Sequence, residues 1–532
     1  MAVDKPDYIV VGAGTAGCVV ASKLSASGKN KVLLLEAGGS ERRFWIQVPI
    51  GYGRTFNDPR VNWMYETEPD PALAGVRSFW PRGKVVGGSG SINALVYARG
   101  QPQDFDDWCA LGNPGWAWSD VKPVYEAIES RTGGPLGITD VADFAHSLCR
   151  TYIASCAALG FTFTADFNGA QPEGVGLYQI TTRDGFREST ASAFLRPALQ
   201  RKNLQLELHA QVTRLQFEGR RAVGVSYRQG ERTVLVGANK AVVLAGGSVN
   251  SPQLLQLSGV GPGELLQQHG IAPVIDLPAV GQNLQDHLAV SYIYRSRVRT
   301  LNNELYPLSG KIKAGLQYLF TRRGRLSMSV NQGGGFVRSD RNLSAPDLQL
   351  YFNPASYTQS RERTRRMMNP DPFPAFLLSF NACRPTSRGH ININSPDADD
   401  PPRIVSNYLT TEKDLHDVRM GTRLLRRLAA TAPLADTIES EILPGSSVTT
   451  DEALLQDFRQ RAGTVFHPVS TCMMGPDARS SVVDARLKVH GIDGLRVIDA
   501  SVFPTITSGN TNAPTVMVAF KGAEMLAQDF GG

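Results

Sequence analysis

The beginning of the chain alternates short apolar runs with a glycine turn and a segment of helical periodicity. Residues 8–14 (YIVVGAG) are predicted to form a strand that ends in the turn, residues 15–27 a helix, and residues 31–38 (KVLLLEAG) a second strand. Strands made almost entirely of apolar residues are typical of a parallel sheet that is covered on both faces. The pattern predicts one βαβ unit at the start of the chain.

Similar and contrasting patterns occur downstream. Residues 240–261 repeat strand, glycine turn and helix, and residues 494–504 contain another apolar strand that runs into a loop. Residues 347–356 and 375–395 instead alternate polar and apolar positions, which is typical of antiparallel strands with one exposed face. We therefore expect an α/β fold in which a parallel sheet is assembled from distant pieces of chain, with a second domain on a mostly antiparallel sheet.

Length and composition narrow the class of protein. A chain of 532 residues exceeds the size of one ordinary core, so two or more domains are expected. The formal charge of +6 is too dilute over this length to indicate a nucleic-acid partner. Six scattered cysteines without CxxC spacing predict buried free thiols and neither a metal site nor a dithiol redox centre. Only Cys472, five residues after His467, is close enough in sequence to concern an active site.

The sequence predicts a cytoplasmic protein. Its N-terminus passes from a short apolar run straight into a glycine turn, unlike a secretory signal, and no window has the roughly 18 consecutive apolar residues of a membrane span. Residues 311–325 mix Lys and Arg with large apolar residues. This segment is compatible with an amphipathic helix that docks on a membrane or covers the active site. We favour an ordinary surface helix whose apolar side packs inward.

The first glycine turn indicates a dinucleotide site. Gly12, Gly14 and Gly17 form a GxGxxG pattern between a strand and a helix. Such a turn brings backbone close to a pyrophosphate, places the phosphates at the helix N-terminus and allows close packing of helix on strand. Glu36 ends the next strand, where a carboxylate binds ribose hydroxyls. FAD and NAD both satisfy this pattern.

A second glycine-rich stretch, residues 81–108, favours FAD. Gly87–Ser91 followed by Ile92, Asn93 and Ala94 offers many backbone N–H groups with little side-chain bulk, against which a planar ring can lie. This stretch resembles the first signature of the glucose–methanol–choline (GMC) oxidoreductases. Four further blocks resemble the same family in the same order, at residues 247–261, 278–287, 466–475 and 495–517.

The resemblance implies a Rossmann-like FAD-binding domain from residues 1–158, 200–300 and 465–532, and a substrate-binding domain from 159–199 and 301–464. Relatives that tether the flavin covalently often carry a histidine where this chain has Ile92, so the resemblance implies non-covalent FAD. The implied cofactor-binding residues are Gly12, Gly14, Thr15, Ala16, Gly17, Glu36, Ala37, Val86, Gly88, Asn93, Ala94, Leu95, Val96, Val212, Ala245, Asp499, Ala500 and Thr511.

The resemblance also implies a catalytic pair, His467 and Asn510. Alcohol oxidation needs a proton acceptor beside the hydroxyl, and histidine suits this role because its ordinary pKa is about 6.5. Asparagine orients a hydroxyl but does not take its proton at neutral pH. Spacing to Pro514 favours Asn510 over Asn512 as the partner, and the remaining histidines, including His287 and His390, are predicted to be structural.

The resemblance also implies three residues that border the substrate pocket. The implied pocket residues are Trp63, Val465 and Phe466. Arg82 and Lys84 are expected only to solvate the surface. Ser470 occupies a place that is frequently glycine in the family, and we expect its side chain to alter the local turn or the pocket.

Three functions remain open from the sequence. The first is a dehydrogenase or oxidase of alcohols, with motifs closest in wording to bacterial choline, L-sorbose and alcohol dehydrogenase-like members. The second is a lyase of hydroxynitrile-lyase type that keeps FAD but uses His467 for acid–base chemistry alone. The third is an NAD-dependent enzyme or a flavin-binding protein without turnover. The electron acceptor, oxygen or a quinone, and the alcohol itself are not indicated by the sequence.

Overall fold

The structure is a computed structural model, and it describes residues 5–357 and 369–531. The predicted substrate-binding segment 301–464 includes residues 358–368, which lie outside the described residues. Among the helices that are described, none combines the length and hydropathy needed to cross a bilayer.

A five-stranded parallel sheet forms the first layer of the fold. Its strands come from distant parts of the chain, three of them are made only of apolar residues, and each pair of neighbours runs in the same direction. The prediction of an α/β fold with a parallel sheet is therefore confirmed. In spatial order the strands are Leu495–Val497, Ala241–Leu244, Tyr8–Val11, Val32–Leu35 and Leu204–Glu207.

Two helices begin just after strands of this sheet, and a third packs on the first of them. Thr15–Leu24 follows the glycine turn after Tyr8–Val11, and Gly247–Leu257 follows the glycine turn after Ala241–Leu244. The 18-residue helix Asn512–Asp529 lies against Thr15–Leu24. A three-stranded antiparallel meander of Ala210–Glu218, Arg221–Gln229 and Arg232–Gly237 flanks the sheet. The buried apolar side chains of these elements contact one another and form one large hydrophobic core.

The second layer is an antiparallel sheet. Its strands come from the middle of the chain, as predicted, and Gly463–Thr464 adds a short pairing to Leu288–Ser296. In spatial order the other strands are Ile438–Leu443, Leu288–Ser296, Ala375–Ala382, Leu348–Asn353, Gly333–Val337 and Gly174–Leu177.

Both faces of the antiparallel sheet are buried, which corrects the expectation of one exposed face. Leu348, Leu350 and Phe352 share a core with the helix Leu148–Ala158, where Tyr152 stacks on Phe352 with ring centroids 4.9 Å apart. The helix Glu412–Ala429 covers the neighbouring strand Ala375–Ala382. The alternate positions are more polar, yet they are equally buried because they face a cavity between the two layers.

The domain boundaries remain a proposal. Leu288–Ser296 was assigned to the FAD-binding segment 200–300, but this strand pairs with Ala375–Ala382 in the antiparallel sheet. Helix Leu148–Ala158, assigned to segment 1–158, also packs on that sheet. We propose that the FAD-binding segments end before Leu148 and before Leu288, with the other boundaries as the sequence implies.

Further helices and strand pairs complete the two layers. Among the described residues, the other α-helices of five residues or more are Pro102–Ala110, Trp118–Ile128, Gly263–Gln268, Leu301–Leu305, Leu308–Thr321 and Asp451–Arg461. Short antiparallel pairs join Tyr65–Glu66 to Phe79–Trp80, Thr182–Arg183 to Phe186–Arg187, and His390–Asn392 to Arg403–Val405. A short parallel pair joins Val260–Gly261 to Ile275–Asp276.

Candidate active site

One continuous cavity runs between the two sheets. It begins at the carboxyl ends of the parallel strands, where Leu35 and Glu36 line it, and reaches the antiparallel sheet at Ser291 and Ser379. His467 and Asn510 line the cavity near this second sheet. The position follows from topology, because loops at the carboxyl ends of parallel strands converge on one edge of the sheet.

The three glycines of the first turn have different reasons to be glycine. Gly12 has φ +97°, and a Cβ there would lie 2.6 Å from the Ala245 carbonyl oxygen. A Cβ at Gly17 would lie 1.8 Å from the Gly12 oxygen. At Gly14 the nearest atoms would be 3.8 Å away, which is ordinary van der Waals contact. Gly12 and Gly17 are thus required by packing of the turn, while Gly14 keeps the cavity floor free of a side chain.

Glu36 is held at one end of the cavity. Its carboxylate oxygens accept hydrogen bonds from the backbone N–H groups of Ala13, at 2.9 Å, and Gly38, at 2.8 Å. Burial raises the pKa of Glu36, and the two N–H donors oppose that rise. Val212, on the strand Ala210–Glu218, lines the same end.

Three helix N-termini line the cavity, those of Thr15–Leu24, Gly247–Leu257 and Asn512–Asp529. The helix Gly247–Leu257 is fixed by Asp499, whose carboxylate accepts from the Gly247 N–H at 2.8 Å and from the Ser251 hydroxyl at 2.6 Å. The helix Asn512–Asp529 is tied to the glycine turn because the Thr15 hydroxyl donates to Asn512 Oδ1 at 3.1 Å. Helix N-termini carry partial positive charge, so this region suits an anionic group.

A buried arginine supports the second glycine-rich stretch. Arg187 donates to Asn93 Oδ1 at 2.7 Å and to the carbonyl oxygens of Ile46, Pro49 and Gly90. These acceptors are neutral, and burial lowers the pKa of Arg187 to about 9. Arg187 therefore fixes Asn93 at the cavity wall and brings one cation close to it.

His467 is paired with a second histidine. The two Nδ1 atoms of His287 and His467 are 3.0 Å apart, and His287 Nε2 is 2.9 Å from the carbonyl oxygen of Cys383. Both rings are buried, and their planes are nearly perpendicular. The prediction of a structural role for His287 did not anticipate this contact with the candidate base.

Asn510 is fixed on the other side of His467. Its Nδ2 lies 3.1 Å from His467 Nε2, and its Oδ1 accepts a hydrogen bond from Gln349 Nε2 at 3.2 Å. Gln349 also donates to the Tyr178 hydroxyl, which itself donates to the Leu350 carbonyl. Asn512, the alternative considered from sequence, contacts Thr15 and has no such contact with His467 among the described residues.

Asp286 and Arg82 hold the backbone around His467. One oxygen of Asp286 accepts from the His467 N–H at 2.7 Å, and the other accepts from the hydroxyls of Tyr408 and Thr464. Burial raises the pKa of Asp286 to about 6. Arg82 donates to the Phe466 carbonyl at 2.7 Å, so the expectation that Arg82 only solvates the surface is wrong. Phe466 itself has φ +69°.

The environment of His467 favours its neutral form. Burial is the main cause that lowers the pKa of His467 well below its ordinary value, and the neighbouring His287 and Arg82 act in the same direction. Burial also lowers the pKa of His287, to about 4. At neutral pH both imidazoles are therefore uncharged.

The wall beside His467 is built from aromatic and neutral polar side chains. Trp63, Val465 and Phe466 line the cavity, as implied from sequence. Trp63 stacks on Tyr65, and Lys84 Nζ lies 4.3 Å from the Trp63 ring centroid. Residues that the sequence did not reveal complete this wall: Phe56, Ser291, Asn331, Asn353, Tyr357, Leu377 and Ser379.

Most residues selected from sequence reach the cavity. Of the implied cofactor-binding set, Gly17 and Val86 do not line it: Gly17 packs the helix on the turn, and Val86 lies in the main core. Ser470 is buried with φ +75° and lies outside the cavity wall, which explains why glycine suits this place and corrects the expectation of an effect on the pocket. Cys472 is also buried away from the cavity wall.

Comparison with known proteins identifies the family. Models of the GMC oxidoreductase N- and C-terminal regions match residues 6–289 and 385–519. The chain is a GMC oxidoreductase. Its cofactor is therefore FAD, and the NAD-dependent alternative no longer applies. The family acts on CH–OH groups.

Relatives of known name cover the full length. An alcohol dehydrogenase [acceptor] from Pseudomonas putida is 39% identical over 98% of this chain and 96% of that protein. An oxygen-dependent choline dehydrogenase from Photobacterium profundum is also 39% identical, over 98% and 92%. Among solved structures, pyridoxine 4-oxidase from Mesorbium loti matches with a TM-score of 0.88 at 29% identity, covering 99% of each chain. A formate oxidase matches with a TM-score of 0.92 at 25% identity over both chains in full.

The residues present fit FAD. The cavity floor at Gly14 and Gly88 has no side chain, and a Cβ at Gly88 would lie 2.7 Å from the Gly14 Cα, so the approach of the two turns excludes a side chain at Gly88. Glu36, three helix N-termini and His467 all line this cavity. It therefore offers the carboxylate that a ribose would need and the N–H groups that a pyrophosphate would need.

Proposed function

We propose that this GMC oxidoreductase oxidises a neutral alcohol to an aldehyde or ketone, with His467 as the general base. The observation that carries the proposal is the position of His467 Nε2 at the cavity wall, held from behind by His287 and from the side by Asn510. When bound, FAD supplies the hydride acceptor.

The hydrogen-bond chain behind His467 supports one tautomer. The Cys383 carbonyl only accepts, so His287 Nε2 carries a proton and donates to it. A neutral His287 then has a bare Nδ1, which accepts from His467 Nδ1–H at 3.0 Å. His467 Nε2 is left without a proton. The Asn510 amide group beside it donates, which agrees with this assignment.

His467 Nε2 is thus prepared to take the hydroxyl proton of an alcohol. As that proton moves to Nε2, the electron pair of the carbinol C–H bond leaves as hydride and a C=O bond forms. Neutral imidazole is the form that accepts a proton, and the lowered pKa of His467 keeps it in that form at neutral pH.

Asn510 is proposed to orient the substrate oxygen. Its carbonyl is engaged by Gln349, which forces the amide N–H groups toward His467 and the cavity. One N–H can donate to a substrate oxygen that lies beside Nε2. Gln349 acts through Asn510 and is therefore a positioning residue.

The charges around the cavity favour a neutral alcohol over a cationic one such as choline. Among the described residues that line the cavity, the acidic side chains are Glu36 and Asp499, and both are engaged by backbone N–H groups on the cofactor side. Near the substrate wall, Arg82 lines the cavity and Lys84 lies over the Trp63 ring, whereas the Asp286 carboxylate lies behind the His467 backbone and does not line the cavity. A cationic substrate would meet like charge without a carboxylate partner.

We propose the cofactor contacts from the same geometry. Glu36 binds the ribose and Val212 the adenine, while Gly12, Gly14 and the backbone at Asp499 and Ala500 surround the pyrophosphate. Asn93 and the backbone of residues 94–96 lie against the flavin ring. Each of these residues lines the cavity, which supports the proposed contacts.

An alcohol panel under anaerobic conditions tests the proposal. Bleaching of the flavin absorbance by neutral aliphatic or aromatic alcohols, with choline much slower, is the expected result. No bleaching by any alcohol would favour the lyase alternative, and bleaching by choline at the rate of neutral alcohols would contradict the argument from charge. Admission of air or of a quinone to the reduced protein then distinguishes an oxidase from a dehydrogenase.

A further inference from the structure

The helix Leu308–Thr321 presents its large apolar side chains to solvent. Exposed fractions are 73% for Leu308, 54% for Ile312, 50% for Leu316, 55% for Leu319 and 80% for Phe320. At 100° per residue these five positions form one stripe that spans an arc of about 120°. An apolar stripe of this kind normally faces a core, yet here it faces outward.

The opposite side of this helix attaches it to the protein. Ala314 and Tyr318 are buried, and the Tyr318 hydroxyl donates to the Gly185 carbonyl at 3.0 Å. The Tyr318 ring also contacts Phe186. The sequence-based prediction that the apolar side of this segment packs inward is therefore wrong. The helix is attached to the protein through its narrower buried side, which leaves the apolar stripe exposed.

Cations border the exposed stripe. Lys311 and Lys313 are exposed on either flank of it, Arg323 is exposed just after the helix, and Arg322 lies over the Phe186 and Tyr318 rings. Residues 306–325 contain no Asp or Glu. Glu304, just before this stretch, is already paired with Arg325. The surface is thus apolar in the centre and positive at its margins.

We propose that the helix Leu308–Thr321 docks on a bilayer surface that carries anionic phospholipids. An apolar stripe bordered by lysines suits a helix that lies in the interface plane, with the stripe among acyl chains and the lysines at phosphate groups. The helix has 14 residues and two lysines, so it lies on a membrane and does not span one. The uncompensated positive charge is the reason to choose an anionic lipid surface over a second copy of the chain, which would bring like charges together.

Vesicle co-sedimentation of the FAD-loaded protein tests this proposal. The wild-type protein is expected to bind phosphatidylcholine vesicles that contain phosphatidylglycerol, and to bind pure phosphatidylcholine much more weakly. The double variant Leu316→Ser, Phe320→Ser should bind the mixed vesicles at least about tenfold more weakly. The double variant Lys311→Gln, Lys313→Gln should lose about fivefold for each lysine, and 0.5 M NaCl should have a similar effect on the wild type.

Matched variants control for general changes of the surface. Leu235 is 70% exposed on the strand Arg232–Gly237, so Leu235→Ser removes a comparable apolar side chain elsewhere. Lys29→Gln with Lys202→Gln removes two other exposed lysines. Both controls should bind like the wild type, and all variants should keep full flavin absorbance. The proposal is overturned if the wild type binds neither vesicle or both equally, if the helix variants bind normally, or if they only dissociate an oligomer.

Discussion

His287 Nδ1 lies 3.0 Å from His467 Nδ1, and this contact determines which nitrogen of His467 is free to take a proton. The Cys383 carbonyl fixes the proton of His287 on Nε2, so the bare Nδ1 of His287 accepts from His467. A histidine that orients another histidine performs the work that a carboxylate performs in many acid–base sites, but without adding negative charge. Burial and the neighbouring His287 and Arg82 lower the pKa of His467, so the base stays neutral at neutral pH.

Substitution of His287 should slow chemistry without removing substrate binding. His287→Phe fills the space but gives His467 Nδ1–H no acceptor, so the tautomer and ring orientation are no longer fixed. We expect flavin reduction to slow by about 10- to 100-fold at saturating alcohol, the scale of losing a ligand-orienting hydrogen bond. The apparent Kd for alcohol should change little. His287→Gln, which retains an acceptor, should recover part of the rate; equal rates for both variants would argue against the tautomer assignment.

The rate of flavin reduction should be insensitive to pH across the neutral range. A lowered pKa means that His467 is already deprotonated well below pH 6.5, so the rate falls only when acid protonates it. Stopped-flow reduction at saturating alcohol between pH 5 and 9 measures this. Because Asp286 has a pKa of about 6 and accepts from the His467 N–H, Asp286→Asn is the control for any inflection there. A rate that still rises above pH 7 would contradict the assigned environment of the base.

A side chain at Gly14 should allow the protein to fold but should interfere with FAD binding. A Cβ at this position meets its nearest atoms at 3.8 Å, so Gly14→Ala and Gly14→Val should fold, whereas the corresponding changes at Gly12 force backbone contacts. We expect purified Gly14→Val to be colourless and Gly14→Ala to retain FAD weakly. Flavin absorbance per protein, with circular dichroism as the folding control, measures the effect. Full flavin content in Gly14→Val would show that the pyrophosphate lies elsewhere.

FAD should be released when the protein is denatured. Ile92 is buried with Ile46, Val61 and Val85 and has no nucleophilic atom to bond with the flavin ring. Precipitation with trichloroacetic acid should leave the yellow colour in the supernatant. Flavin retained in the washed pellet would contradict this prediction and would direct attention to another nucleophile in the cavity.

The sequence predicted the outline of the site because its parts are local. The glycine turn, the histidine block and Asn510 each lie in one short stretch, and the family resemblance together with the spacing to Pro514 favoured Asn510 over Asn512. The supporting contacts join residues far apart in sequence: His287 to His467, Gln349 to Asn510 and Arg82 to Phe466. The polar and apolar alternation in residues 347–356 correctly indicated a strand with one polar face, on which Gln349, Tyr351 and Asn353 lie. That face was interpreted as exposed because sequence does not tell solvent from a buried polar cavity.

The outward helix was mispredicted for a related reason. Its apolar stripe has the periodicity of a packing face, and only the structure shows that Ala314 and Tyr318 make the attachment instead. Periodicity indicates that one face is apolar, but it does not indicate what covers that face.

Anaerobic reduction of the His467→Ala variant tests whether His467 is the general base. Removal of the proton acceptor should leave a folded, yellow protein whose flavin is reduced by alcohol at least about 10²-fold more slowly than in the wild type, the scale of a general base. Asn510→Ala should cost less at saturating alcohol, because it removes orientation and keeps the acceptor. Stopped-flow bleaching without oxygen isolates this half-reaction from the electron acceptor. We expect slow bleaching in His467→Ala that no longer falls in acid; bleaching near the wild-type rate would contradict the role of His467 as the base.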